Sequence, residues 1–199
     1  MNIIGSTEKN TITGAFLDGS NVNVQFRGVD NTLHIGPNVS FKSGTINFRG
    51  NKQTVYLAGN NVLLGELNLS GDRSRISIGA GTKANSAIWM NLGEPDDSVE
   101  IGENCLFANV RFRTSDSHPI YDDASGARIN PSRPIKLGNR VWIAEDVLIL
   151  KGAVIEDGSA IGARSLVAGT IPPKCIAVGV PARVVRENIR WEEKFPRQA

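Results

Sequence analysis

From residue 137 the chain divides into consecutive blocks of six: LGNRVW, IAEDVL, ILKGAV, IEDGSA, IGARSL and VAGTIP. The first place in each block is aliphatic, held by Leu137, Ile143, Ile149, Ile155, Ile161 and Val167. The fifth is mostly small or β-branched, held by Val141, Val147, Ala153, Ser159, Ser165 and Ile171. Such a block describes one short strand and one corner, the aliphatic side chain plugging an interior and the small one fitting beneath the turn. The pairs between them, GN, AE, LK, ED, GA and AG, are turn-tolerant or surface residues. Three blocks make one triangular coil of a parallel β-helix, so the run predicts two coils. Neither is expected to be stable alone, because each buries its interior face against its neighbour.

The same rhythm returns more loosely upstream, with IGPNV at 35, LAGNNV at 57, IGAGT at 78, IGENC at 101 and LGNRV at 137. The first three intervals slightly exceed an 18-residue coil, so each upstream coil should carry a few extra loop residues. The interval from 101 to 137 holds one coil plus a large excursion. The 21 glycines and the near absence of helical periodicity up to about residue 184 agree with many short strands and tight corners. The segment VVRENIRWEEKF, 184–195, breaks the rule and is expected to form a short terminal helix capping the last coil. The expected organisation is an all-β domain over 1–183 with a loop insertion at 113–134, then a C-terminal helix and tail over 184–199.

Charge narrows the partners. The 22 basic and 20 acidic residues leave a formal charge of +2, too little to argue for nucleic acid or a membrane surface. No apolar run approaches the length of a membrane span. The opening MNIIGSTEKN shows no basic stretch followed by an apolar core, so no export signal is read and a cytoplasmic location is expected. Cys105 and Cys175 lack metal or redox spacing and suit small buried thiols in a reducing compartment. With two cysteines and two histidines in the chain, no zinc cluster is expected.

The hexads, the HPI of the excursion, NRVWIAEDVLILKGAVI and IPPKCIAVGVPARVVREN together resemble the hexapeptide-repeat acyltransferases, and among them sugar O-acetyltransferases acting on sialic acid or capsular polysaccharide. The resemblance is closest over 99–194 and implies a left-handed parallel β-helix, a hand that runs against the usual crossover rule. It also implies a homotrimer, acetyl-CoA as donor, a carbohydrate acceptor and active sites between subunits. His118 matches the family's catalytic histidine. A sugar hydroxyl is a poor nucleophile, and an imidazole, mostly neutral at pH 7, can take its proton as it attacks a thioester. Pro119 stiffens the loop behind it. Asp116 or a backbone carbonyl would orient the ring.

Trp142 stands between two interior positions, so alternation sends its indole outside the coil, where a ligand, a neighbouring subunit or both should cover it. The resemblance places it beside the histidine. It also places Ala144 and Ala163 against the pantetheine arm, with Arg183, Arg186 and Lys174 near the phosphates. Ala168 and Gly169 replace the usual Thr-Lys pair before the IPP turn. On the acceptor side, Asn91, Arg113, Tyr121 and Arg128 are the candidates, since guanidinium groups suit a carboxylated sugar. His34 precedes an interior Ile35 and reads as a surface residue. An N-acyltransferase acting on an amino sugar or drug, and a non-catalytic glycan- or protein-binding scaffold, remain alternatives. A three-histidine zinc hydratase of this fold is disfavoured by the histidine count.

Overall fold

A computed structural model describes residues 1–194 and is a three-sided parallel β-helix. The first face stacks eight short strands: Thr11–Thr13, Thr32–Ile35, Thr54–Leu57, Arg75–Ile78, Ser98–Ile101, Ile135–Leu137, Val154–Ile155 and Thr170–Ile171. The second carries Lys83–Ala84, Leu106–Phe107, Trp142–Ile143, Ala160–Ile161 and Ile176–Gly179. The third carries Asn2–Ile4, Val22–Phe26, Ile88–Leu92, Val110–Arg113, Val147–Leu150 and Leu166–Val167. Two long strands, Ser40–Phe48 and Val62–Leu69, run from the second face into the third and join them into one sheet.

The aliphatic residues that open the repeat motifs stack in columns, one on each face. Ile35, Leu57, Ile78, Ile101, Leu137, Ile155 and Ile171 pair in that order up the first face. Ile143 and Ile161 pair on the second face, and Ile149 and Val167 on the third. All of them are buried, as are the fifth-place residues Val141, Val147, Ala153, Ser159 and Ser165. Strand alternation sends these side chains inward, and each fully buried aliphatic is worth roughly 1.5–3 kcal/mol. The final block departs from the rule. Ile171 takes an interior first-face position opposite Ile155, because that corner is two residues shorter than its predecessors.

The corners need residues that accept positive φ. Among the described residues, fourteen non-glycine residues do so, and eight of them are Asn or Asp, whose short polar side chains tolerate this region. Where the long strands turn, glycine is obligatory: a Cβ on Gly65, at φ +119°, would stand 2.0 Å from the carbonyl oxygen of Ile88.

The terminal helix expected over 184–195 is absent among the described residues. Ala182–Arg186 is instead a strand antiparallel to Ile176–Gly179, closing the second face. Val184 and Val185 are β-branched and find a ready sheet edge, which decides against helix. Residues 187–194 then return down the corner between the first and second faces. Ile189 N–H donates to the Lys174 carbonyl, Trp191 Nε1 to the Arg140 carbonyl (2.7 Å), and Lys83 pairs with Glu193 (2.9 Å). Residue 195 and the tail beyond it lie outside the described residues. Among the described residues, no helix is long and apolar enough to cross a membrane.

Candidate functional site

The excursion leaves the third face after Arg113 and rejoins the first at Ile135. Its root is fixed by buried polar groups. The Asp97 carboxylate accepts from the N–H groups of Gly93 and Glu94 and from Thr114 Oγ1 (2.6 Å), tying one corner turn to the first residue of the loop. Ser115 Oγ donates to Glu94 (2.7 Å), and Ser117 N–H donates back to Ser115 Oγ. Ser117 sits at φ 68°, a strained conformation directly before His118. Arg113 steadies it by donating to Ser117 Oγ at 3.1 Å.

His118 is exposed, and among the described residues its ring has no hydrogen-bond partner. Its backbone carbonyl accepts from Asn130 Nδ2 at 2.9 Å. Asp116 does not orient the ring within this chain. Its carboxylate accepts from Lys151 Nζ and from Asn130 Nδ2 (2.9 Å), and the Lys151 hydrogen bond, with Asn130 adding to it, holds Asp116 below the usual carboxylate range.

Arg128 is likewise engaged. It grips Glu94 through two bonds of 2.6 and 2.8 Å, so it is not free for an acceptor carboxylate. That grip, aided by Ser115, lowers the Glu94 carboxyl to about 2 against the opposing effect of burial. Tyr121, 59% exposed, faces Arg128 across a small antiparallel bridge near the tip of the excursion.

Two acceptor candidates do come together. Asn91 and Arg113 are register partners on the third face and share an open polar groove with Arg49, Ser70, Gly93, Ser115 and Ser117. Arg113 forms no ion pair among the described residues, and neither does Arg49.

The donor-side candidates lie elsewhere on the prism. Trp142 points outward from the second face, 41% exposed, with the Trp191 ring tilted 45° against it at 6.2 Å. Trp142, Ala160, Ile176 and Arg186 form one outward column. The bulge between Ile176 and Ala177 lets Arg183 and Arg186, opposite Val178 and Ile176, project on that same side. Neither arginine forms an ion pair among the described residues.

Ala144 and Ala163 occupy adjacent coils at the corner between second and third faces. The Ala144 N–H donates to the Ile161 carbonyl (2.9 Å), whereas the exposed Ala163 N–H has no partner among the described residues. A free backbone donor beside a small side chain fits an amide-bearing arm laid along the wall. Lys174 stands apart, at the corner between first and second faces. There it lines a cavity of about 710 Å³ with Arg140, Asp157, Gly158 and Trp191, beneath the returning tail.

His118 therefore sits at one edge of the prism, and Trp142 with the alanine wall around others. Sequence reasoning missed Lys151, Asn130, Glu94 and Arg49. Lys151 occupies an outward place of the ILKGAV hexad, where a lysine reads as solvated. His34 lies half-buried and outward, stacked on Tyr56 at 4.6 Å with Nδ1 bonded to Thr13 Oγ1. Both cysteines are free and buried, and burial pushes the Cys105 thiol up to about 11. Among the described residues, no three His, Cys, Asp or Glu side chains cluster as metal ligands.

No family model matches the chain. Over 171 residues, 84% of this chain and 78% of the relative, it is 32% identical to a polysialic acid O-acetyltransferase of Neisseria meningitidis. It is 43% identical to the galactoside O-acetyltransferase of Escherichia coli K12 over 116 residues, 57% of this chain; the match spans about half of that protein, 55%. The crystal structure of the polySia specific acetyltransferase NeuO matches with a TM-score of 0.78 at 30% identity, covering 97% of this chain and 88% of that one. Fold and likeness together define the class: a left-handed parallel β-helix of the kind on which these acetyltransferases are built. The chain belongs to the hexapeptide-repeat O-acetyltransferase family that includes these relatives.

Proposed function

We propose that this chain transfers an acetyl group from acetyl-CoA to a hydroxyl of a cell-surface carbohydrate, sialic acid or a capsular or lipopolysaccharide sugar. The observation that carries this reading is His118, whose backbone is clamped while its ring is left without an intramolecular partner, on a chain akin to a polysialic acid O-acetyltransferase along most of its length. The imidazole takes the proton of the acceptor hydroxyl as its oxygen attacks the thioester carbonyl. The carbon–sulfur bond breaks, and the proton held on the ring passes to the departing thiolate. Coenzyme A supplies the activated acyl group; no nucleophile of the chain is required.

The donor fits the second face. The free Ala163 N–H suits the pantetheine arm, and the unpaired Arg183 and Arg186 suit its phosphates. Because His118 and Trp142 stand at separate edges of one prism, the complete site requires a second copy alongside, which supports a homotrimer with shared sites. An acetyl-CoA donor, held inside the cell, supports a cytoplasmic location.

The test is His118→Ala. Turnover should fall by roughly 10²- to 10⁴-fold with the fold intact, and the wild-type product should carry an alkali-labile acetyl ester by mass spectrometry. Near-normal turnover in the variant would remove the histidine from the mechanism.

A further inference from the structure

Around His118 the chain builds a joint that no local motif announces. The Asn130 side chain, 7% exposed, meets three alternate residues of the loop at once. Its Nδ2 donates to Asp116 Oδ2 and to the His118 carbonyl, both at 2.9 Å, while its Oδ1 accepts from Ile120 N–H at 2.6 Å. The amide cannot be turned round, because the carboxylate and the carbonyl both accept and the N–H can only donate. Lys151, with its side chain 15% exposed, closes the joint from the coil wall. Its ammonium donates to Asp116 Oδ2 and to the Asn130 carbonyl (3.0 Å), so one cation holds both strands of the excursion.

From this geometry we infer that Asn130 and Lys151 are positioning residues that set the direction of the His118 imidazole, acting through the Asp116 side chain and the backbone at 118 and 120. The inference rests on the reading of His118 as the base. Two of the Asn130 bonds pin the peptide units that follow the histidine, at the His118 carbonyl and the Ile120 N–H, and the third ties the Asp116 side chain two residues before it. Pro119 fixes the following φ, and nothing among the described residues restrains the ring itself. Aim is thus set by the backbone, and the ring is left to the acceptor. Asp116 serves in this joint as the ionised group that Lys151 and Asn130 share, not as the ring's partner. A displacement of about 1 Å at a reacting group can cost roughly 100-fold in rate, so a small relaxation at the joint should register in turnover.

The test compares Asn130→Ala, Lys151→Met and Lys151→Arg with wild type and His118→Ala, measuring kcat and the KM for acetyl-CoA, with amide exchange across 114–134. Asn130→Ala and Lys151→Met should lower kcat roughly 30- to 100-fold with donor KM within threefold of wild type and the Asp122 and Ile129 amides still protected. Lys151→Arg, which keeps a donor for Asp116, should recover to within about fivefold. The inference is overturned if both variants keep wild-type kcat while His118→Ala is inactive. It is equally overturned if their loss tracks with an unprotected excursion, the mark of a merely structural part. Near-normal turnover by His118→Ala is a separate failure, of the base itself, and is visible without the other variants.

Discussion

Replacing Glu94 by Gln removes the charge that Arg128 grips and leaves the excursion's other bonds in place. The ordinary carboxyl value of 4.5 falls to about 2 in the folded chain. At about 1.4 kcal/mol per tenfold, ionised Glu94 favours the closed excursion by at most about 3.5 kcal/mol. Solvent reaches the pair, the Glu94 and Arg128 side chains being 21% and 33% exposed, so screening reduces this to roughly 1.5–3 kcal/mol. The open excursion should therefore be populated roughly 10- to 100-fold more often in Glu94→Gln at pH 7. Its reporters are the N–H groups of Ile120, Asp122 and Ile129, which donate to Asn130 Oδ1 and to the carbonyls of Ala127 and Ile120. Their exchange, corrected for intrinsic rate, should speed up by that factor while amides of the coils are unchanged. The pH dependence has a definite sign. A carboxyl depressed on folding contributes fully above 4.5 and loses its contribution as pH falls toward 2. Wild-type protection should be flat from pH 7 to about 5 and then decline, and the variant should decline less steeply, keeping only the part carried by the depressed carboxyls of Asp116 and Asp122. Equal protection in the two proteins at pH 7 would refute the assignment of the excursion's closure to this pair.

Three further outcomes are expected. Gly65→Ala should lower stability by about 3 kcal/mol or more in urea unfolding, since its Cβ would meet the Ile88 backbone at 2.0 Å and φ is +119°. Gly126→Ala, at φ +69° with open space around it, should cost only the left-handed backbone penalty of about 1–2 kcal/mol. Inactive His118→Ala chains dissociated and reassembled with inactive Trp142→Ala chains should regain part of the wild-type activity, because a mixed pair of edges restores one intact site; no recovery would place the whole site within a single chain.

The coils were legible because one interior residue per corner leaves a trace that spacing alone reveals, even where loops vary. Ile35, Leu57, Ile78 and Ile101 sit at irregular intervals and still share one column. The site was legible only in part. Asp116 read from sequence as an orienter of the His118 ring, and Arg128 as a ligand for an acceptor carboxylate. The partners that occupy them, Lys151 and Glu94, lie 35 and 34 residues away, on other coils. No local pattern encodes such a separation; the stacking of coils creates it. The tail shows the converse limit. Polar, charged VVRENIRWEEKF suggests a helix by composition, yet an open sheet edge beside Val184 and Val185 outweighed that weak preference.

The returning segment 187–194 changes how such a molecule can come apart. A stack whose layers touch only their neighbours should fray from its ends, one layer at a time. Here the last layer is laced to earlier ones through Trp191 at Arg140 and Glu193 at Lys83. Peeling the end requires those distant stitches to open first, so the C-terminal half should melt as a single block.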